Sequence, residues 1–127
     1  MTAVMDLATA PLKVTTPAQV HAAHHRIHAL AKQVVGPVTG YDVALMACEA
    51  MSNAVVHGRG PVIVTVSCAE TGLRVEVHDE GPALKVAGRV DHGQGLKLIA
   101  ELAARWDLTV GETGTVLWFE VDREVAS

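Results

Sequence analysis

Residues 62–79 read VIVTVSCAETGLRVEVHD, and no other stretch constrains the fold as strongly. VIVTVSC is rich in β-branched residues, and in LRVEVHD the apolar Leu73, Val75 and Val77 alternate with Arg74, Glu76 and His78. Alternation of this kind marks a half-buried strand, because successive side chains point to opposite faces of a sheet. Two such runs about a turn at Glu70-Thr71-Gly72 predict an antiparallel hairpin with one face buried. A lone hairpin is barely stable in water, so the rest of the chain must cover that face.

The 127 residues suffice for one compact domain with its own core. Half of them are hydrophobic, yet the aromatic residues are only Tyr41, Trp106, Trp118 and Phe119, so the core is built from Val, Leu, Ala and Ile. A net charge of −4 without a basic stripe argues against nucleic-acid binding. No run reaches the roughly 18 apolar residues of a membrane helix. The opening MTAVMDLATAPLK lacks the basic start and long apolar middle of a signal peptide. Cys48 and Cys68 have no metal or redox spacing, and each reads as a small apolar side chain in a reducing cytoplasm.

Residues 1–16 read as a tail or an edge strand, 17–122 as the domain, and 123–127 as a C-terminal tail. Thr16-Pro17 is an N-cap followed by proline at the first helical position. Val20, Ala23, Ile27, Leu30 and Val34 then recur at helical steps until Gly36-Pro37. A second helix is expected from about 39–42 to His57, where Gly58-Arg59-Gly60-Pro61 stops it. Residues 80–94 form a loop. Gly95 to Arg105 reads as a third helix with Leu96, Ile99, Leu102 and Ala103 facing inward. WDLTV and TVLWFEV about the turn 111–114 make a second hairpin. The order ααββαββ predicts an α/β two-layer sandwich: a mixed sheet of four to five strands with three helices on one face.

Four features in sequence order carry chemistry. Glu49 and Asn53 stand one turn apart on the second helix among Leu45, Met46, Ala50 and Val56, a face that looks buried, where an unpaired carboxylate is costly. Asp79-Glu80-Gly81 puts an acid and a glycine where the chain leaves a strand. Gly93-Gln94-Gly95 opens a helix, and Thr115 starts the last strand after Gly114. Each fits part of a nucleotide pocket. Backbone N–H groups at a helix N-terminus suit phosphate, and a strand-end carboxylate accepts from an exocyclic amine such as that of adenine. An Asn oxygen suits Mg²⁺, and a Glu one turn away can act as general base. There is no GxxxxGK[ST] phosphate loop, and the GQG lacks the third glycine and preceding strand of a dinucleotide fold.

Glu49…Asn53 with Ala54 and His57-Gly58, then VHDEG, then GQGLKLIAELAARW, then GTVLWFEV, resemble the GHKL ATPase superfamily. More closely, they are similar to the small anti-sigma-factor serine kinases of bacteria, the group around RsbW and SpoIIAB, over roughly residues 17–122. The resemblance implies a Bergerat-type fold binding Mg-ATP. Asn53 would be the magnesium ligand, Glu49 the general base and Asp79 the adenine contact. Gly81, Gly93 and Gly95 would be the pocket and phosphate glycines, with Gln94, Leu96 and His57 beside them and Thr115 near the adenine. It also implies a cytoplasmic protein that phosphorylates a serine of an anti-anti-sigma (STAS-type) partner, sequesters a sigma factor in the alternative state, and pairs as a homodimer through the edge of its sheet.

Two departures favour an alternative, a catalytically weak or inactive binding module of the same fold. Only eleven residues separate Gly81 from Gly93, short for a lid over ATP. Gln94 stands where relatives carry arginine or an apolar residue; Lys97 is either a substitute contact or a solvated lysine. A third reading, the ATP-binding half of a two-component histidine kinase, would have to work in trans. Separately, His21, His24, His25 and His28 fall at i, i+3, i+4 and i+7 on the first helix, beside its apolar stripe. They read as a metal site, a pH-sensitive partner surface or a solvated face.

Overall fold

The computed structural model describes residues 11–69, 71–81, 93–112 and 114–124, and of residues 93–95 the backbone alone. The expected tail before residue 11, most of the expected 80–94 loop with His92, and residues 125–127 lie outside the described residues. The chain runs β1 (Leu12–Val14), α1 (Pro17–Val35), α2 (Pro37–His57), β2 (Val62–Cys68), β3 (Gly72–Asp79), α3 (Gly93–Leu102), β4 (Arg105–Val110) and β5 (Thr115–Asp122).

α1 begins as its sequence predicts. The Thr16 hydroxyl accepts the Gln19 N–H at 3.2 Å, and Pro17 takes the first turn, where its missing N–H costs nothing. Val20, Ala23, Ile27, Ala31, Val34 and Val35 are buried, while Leu30 is half-buried at the edge of the stripe. Gly36, with φ of +110°, ends α1 and at once begins α2. α2 therefore starts at Pro37 rather than at 39–42. Gly36 has no side chain to cap the helix, and the Glu124 carboxylate does so instead, accepting the Thr39 N–H at 2.6 Å.

All five strands form one sheet in the order β1-β2-β3-β5-β4. The α/β sandwich is as expected, but the mixed pairing is not: every ladder is antiparallel. β4 follows the helical crossover and would have lain parallel to β3 had it been its neighbour. It takes the sheet edge instead, and its hairpin partner β5 returns beside β3. β1 realises the edge-strand reading of the N-terminal stretch. α3 spans 93–102 rather than 95–105. Beyond it, Ala104 N–H bonds the Glu120 carbonyl, and Arg105 joins β4.

One face of the sheet presents Val62, Val64, Val66, Leu73, Val75, Val77, Leu117, Phe119 and Val121, all buried against Ile27, Met46, Met51 and Ile99 of the three helices. The other face is polar and ordered by charge. Arg74 pairs with Glu76 and Glu120 at 2.8 and 2.9 Å and lies 4.1 Å from the centre of the Trp118 ring. Arg105 pairs with Glu120 and Asp122, each at 2.8 Å. These arginines hold the Glu76, Glu120 and Asp122 carboxyls below the usual carboxylate range, with the His78 contact the largest influence on Glu76.

α1 and α2 pack so closely that a Cβ on Gly40 would lie 2.6 Å from Lys32 Cα and 2.7 Å from Lys32 N. Both are backbone atoms, so the helices would have to part. Gly40→Ala is expected to destabilise the protein by up to about 2 kcal/mol: overpacking at roughly 1–3 kcal/mol outweighs the gain of about 1 kcal/mol in helix propensity. A urea titration with an unchanged slope and a lowered midpoint checks this.

Candidate functional site

The core residues of β3 occupy odd positions, and the same parity puts Asp79 on the helix-covered face, where the core runs out at the strand's end. Thr115 shares the parity of Leu117, Phe119 and Val121, and it is the residue paired with Asp79 across β3 and β5. The two therefore stand side by side, both half-buried.

Three glycines let backbone close in on Asp79. Gly58, just past α2, would put a Cβ 2.8 Å from the Asp79 Cγ and 2.9 Å from its Oδ2. Gly114 would put one 2.8 Å from the Asp79 carbonyl oxygen. Gly81, with φ of +111°, is buried and donates its N–H to Asp79 Oδ1 at 2.7 Å, a tight loop that favours glycine. The loop after α2 is tied to the same place, since the Glu80 N–H bonds the Arg59 carbonyl at 2.9 Å. The ends of α2 and β3 and the start of β5 thus converge on one carboxylate. Burial pushes that carboxyl above its usual range, and the Gly81 N–H and His78 only partly oppose the push.

Glu49 and Asn53 are correctly expected one turn apart on α2, but not on its buried face. That face is Val43, Ala44, Met46, Ala47, Ala50, Met51 and Ala54; Glu49, Asn53 and Leu45 flank it half-exposed, and Val56 is exposed. Among the described residues no polar or charged side chain is buried. The pair escapes the full desolvation cost by standing at the rim. Counting back from Gly58, Asn53 and Glu49 lie about 7.5 and 13.5 Å along the helix axis at the standard rise. His57 closes α2 and is exposed. Next to Glu49, Cys48 packs against the core, and burial with the nearby Glu49 charge keeps its thiol protonated, which suits a packing role.

Gly93, Gln94 and Gly95 form the first turn of α3, which packs on α2, with Leu96 half-buried and Ile99 fully buried against the core. The Gln94 side chain lies outside the described residues, and Lys97 is exposed. Sequence reasoning named Asp79, Gly81 and Thr115 and missed what Gly58 and Gly114 do. Gly58 passed for a helix stop and Gly114 for a turn residue, although glycines before and after strand-end residues are also a signal of close backbone approach.

With this geometry in place, likeness to known proteins is informative. Residues 14–121 match the family described as histidine kinase-like ATPase domain. Among solved structures, the crystal structure of the RsbU and RsbW domains of Rv1364c from Mycobacterium tuberculosis is similar at 20% identity, with a TM-score of 0.68. That match covers 93% of this chain and 35% of the other, so this chain spans about a third of that structure's length, and the likeness carries the fold alone. No curated protein matches.

The Asp79 carboxyl has a raised pKa in the folded state, so its ionised form weakens folding as the pH rises through that raised value, and the cost is absent below the unfolded value. Asp79→Asn keeps an oxygen for the Gly81 N–H and removes the charge. The variant without nucleotide is expected to melt higher than the parent at neutral pH, by about a few degrees. The difference should shrink as the pH is lowered through the carboxyl's titration, which paired thermal melts across pH would show.

Proposed function

The chain belongs to the histidine kinase-like ATPase domain family, and from that premise we propose that it binds Mg-ATP as an anti-sigma-factor-type regulator and phosphorylates a serine of an anti-anti-sigma partner. The observation that carries the nucleotide reading is the convergence of Gly58, Gly81, Gly114 and Thr115 on the half-buried carboxylate of Asp79. A charged group held above its usual pKa by burial, at a place where three elements end, is what a binding site requires rather than what stability favours. An exocyclic amine donating to Asp79 would favour the carboxylate that burial disfavours, while at Gly81, where a Cβ would meet no atom nearer than 3.8 Å, a base has room to approach the backbone.

From Asp79 the rim of α2 leads through Asn53 to Glu49, a span an extended nucleoside triphosphate covers. The donor fits the metal: the amide oxygen of Asn53, half-exposed beside the core, with the Glu49 carboxylate one turn away left for proton transfer. Magnesium bound with the nucleotide supplies charge neutralisation at the phosphates. Asn53 would hold it, the Gly93–Gly95 amides at the start of α3 would face the phosphates, and His57 would lie beside them. Glu49 would accept the proton of the partner's serine hydroxyl, and the positive end of α3 would favour the charge on the transferring group.

A partner-switching role follows the same line: a ligand that binds one arrangement of a docking surface better than another biases which of two proteins docks. The sigma factor and the STAS-type anti-anti-sigma protein are the two classes proposed, with the homodimer and the cytoplasmic setting as part of this reading. The eleven residues between Gly81 and Gly93 favour a second reading, in which the same fold binds these partners without transferring phosphate.

Calorimetric titration with ATP is expected to show saturable, Mg²⁺-dependent binding. Asp79→Ala should abolish the binding and Asn53→Ala its Mg²⁺ dependence; no binding at millimolar ATP would overturn the nucleotide reading. Glu49→Ala is expected to bind ATP within about threefold of the parent, yet lose phosphoserine formation on a copurified anti-anti-sigma partner by at least about a hundredfold, as read by mass spectrometry. An unchanged transfer rate would remove Glu49 as the base, and binding without any transfer in the parent would favour the second reading.

A further inference from the structure

The histidines of α1 take no part in that site. His21, His24, His25 and His28 share one face of α1, yet the structure separates them into two kinds. His24 is half-buried, and its Nδ1 is hydrogen-bonded to the Ala44 carbonyl at 3.1 Å, which ties it to α2. His28, also half-buried, sets its ring edge-on to Tyr41 with centroids 6.1 Å apart. His21 and His25 are exposed and turn to each other. Their Nε2 atoms are 3.2 Å apart and their ring centroids 4.5 Å.

We propose that His21 and His25 form a bidentate surface site for a divalent transition metal of the imidazole-preferring class, Zn²⁺, Ni²⁺ or Cu²⁺. Two nitrogens 3.2 Å apart, each at the usual zinc distance of about 2.0–2.1 Å, subtend about 100° at the metal. That angle lies between the tetrahedral and octahedral ideals, so the spacing of the two nitrogens suits a chelate. The spacing is the i,i+4 pair that a helix uses to put two imidazoles on one ion. What changes on binding is a proton. The present contact needs one Nε2–H to donate to the other Nε2, whereas the chelate needs both Nε2 lone pairs and a proton on each Nδ1.

The donor set also selects the metal. α1 contains no Asp or Glu, and among the described residues no third His, Cys, Asp or Glu joins the pair. Two neutral imidazoles suit Cu²⁺, Ni²⁺ and Zn²⁺ and bind Mg²⁺ and Ca²⁺ poorly, so this site and the proposed magnesium site on α2 would not compete. The remaining coordination positions go to water. Because the helix brings the pair together, the ion binds the folded chain more tightly than the unfolded one, and so it stabilises the fold by mass action.

The test uses the untagged full-length chain, titrated with Zn²⁺ by calorimetry and melted with and without Zn²⁺ or Ni²⁺ in excess Mg²⁺. Saturable binding indifferent to Mg²⁺, with a raised melting temperature, is expected. His21→Ala and His25→Ala should each weaken it at least about tenfold, since one imidazole remains, and erase the melting shift. His28→Ala should leave both readouts intact. Circular dichroism of the metal-free variants confirms that α1 is still folded, which is expected because both side chains are exposed. No saturation, binding unaltered in His25→Ala, or equal loss in His28→Ala would overturn the two-histidine assignment.

Discussion

Which strand lies beside β3, and in what register, decides both the core and the site. β5 takes that place, with its pairing running from Gly72–Asp122 through Val75–Phe119 to Asp79–Thr115. The middle of the ladder buries Phe119 against the helices, and its end sets Thr115 next to Asp79. A slip of one residue would turn Phe119 and Val121 to solvent and carry Trp118 and Glu120 into the core. The same slip would separate Thr115 from Asp79. Gly72 pins the register from the far end, because a Cβ there would run into the Val121 carbonyl oxygen. Folding and the proposed site therefore share one constraint, and the apolar part of the ladder enforces the position of the polar part.

The elements were largely legible from local pattern. Alternation in 73–79, the β-branched run 62–68 and the capped stripe of α1 each specify one kind of structure, and each is found where it was read. Strand order was not legible. Nothing in either half of the 105–122 hairpin says which half will lie inside, beyond the fact that Leu117, Phe119 and Val121 make β5 the more apolar one. The start of α2 was hidden for a different reason. Its cap is Glu124, a residue 85 positions away that bonds Thr39, and no local rule reaches so far. The end of α3 was overestimated because Ala103, Ala104 and Arg105 continue a helical pattern, while pairing with Glu120 claims Ala104 and Arg105 for the sheet.

The candidate site was legible as a set of residues and less so as an arrangement. Asp79, Gly81 and Thr115, each read as a strand-end or turn residue, lie together at the end of the β3–β5 ladder. Glu49 and Asn53 were placed on a buried face because apolar neighbours surround them in sequence. A helix this rich in Ala and Met has a wide apolar arc, and its edges are half-exposed. Whether a residue lies on the arc or at its edge depends on what packs against the helix, and sequence periodicity does not resolve that. Gly58 and Gly114 matter for the side chains they lack, and such an absence reads in sequence as an ordinary turn.

The carboxylates of the molecule divide by the work they do. On the open face of the sheet, Glu120 and Asp122 meet arginine and Glu76 meets Arg74 and His78, and all three are favoured in their charged form. Those groups have their partners already, so a ligand would gain little from them. Asp79 stands on the covered face at the point where that face ends, and burial there disfavours its charge. It sits beside a core from which, among the described residues, polar side chains are absent. A donor arriving from outside would therefore recover at Asp79 an interaction that the fold leaves incomplete, which it cannot do at Glu76, Glu120 or Asp122. The same physics that excludes charge from the core thus puts the proposed binding carboxylate at its rim, where β3 and α2 end and β5 begins.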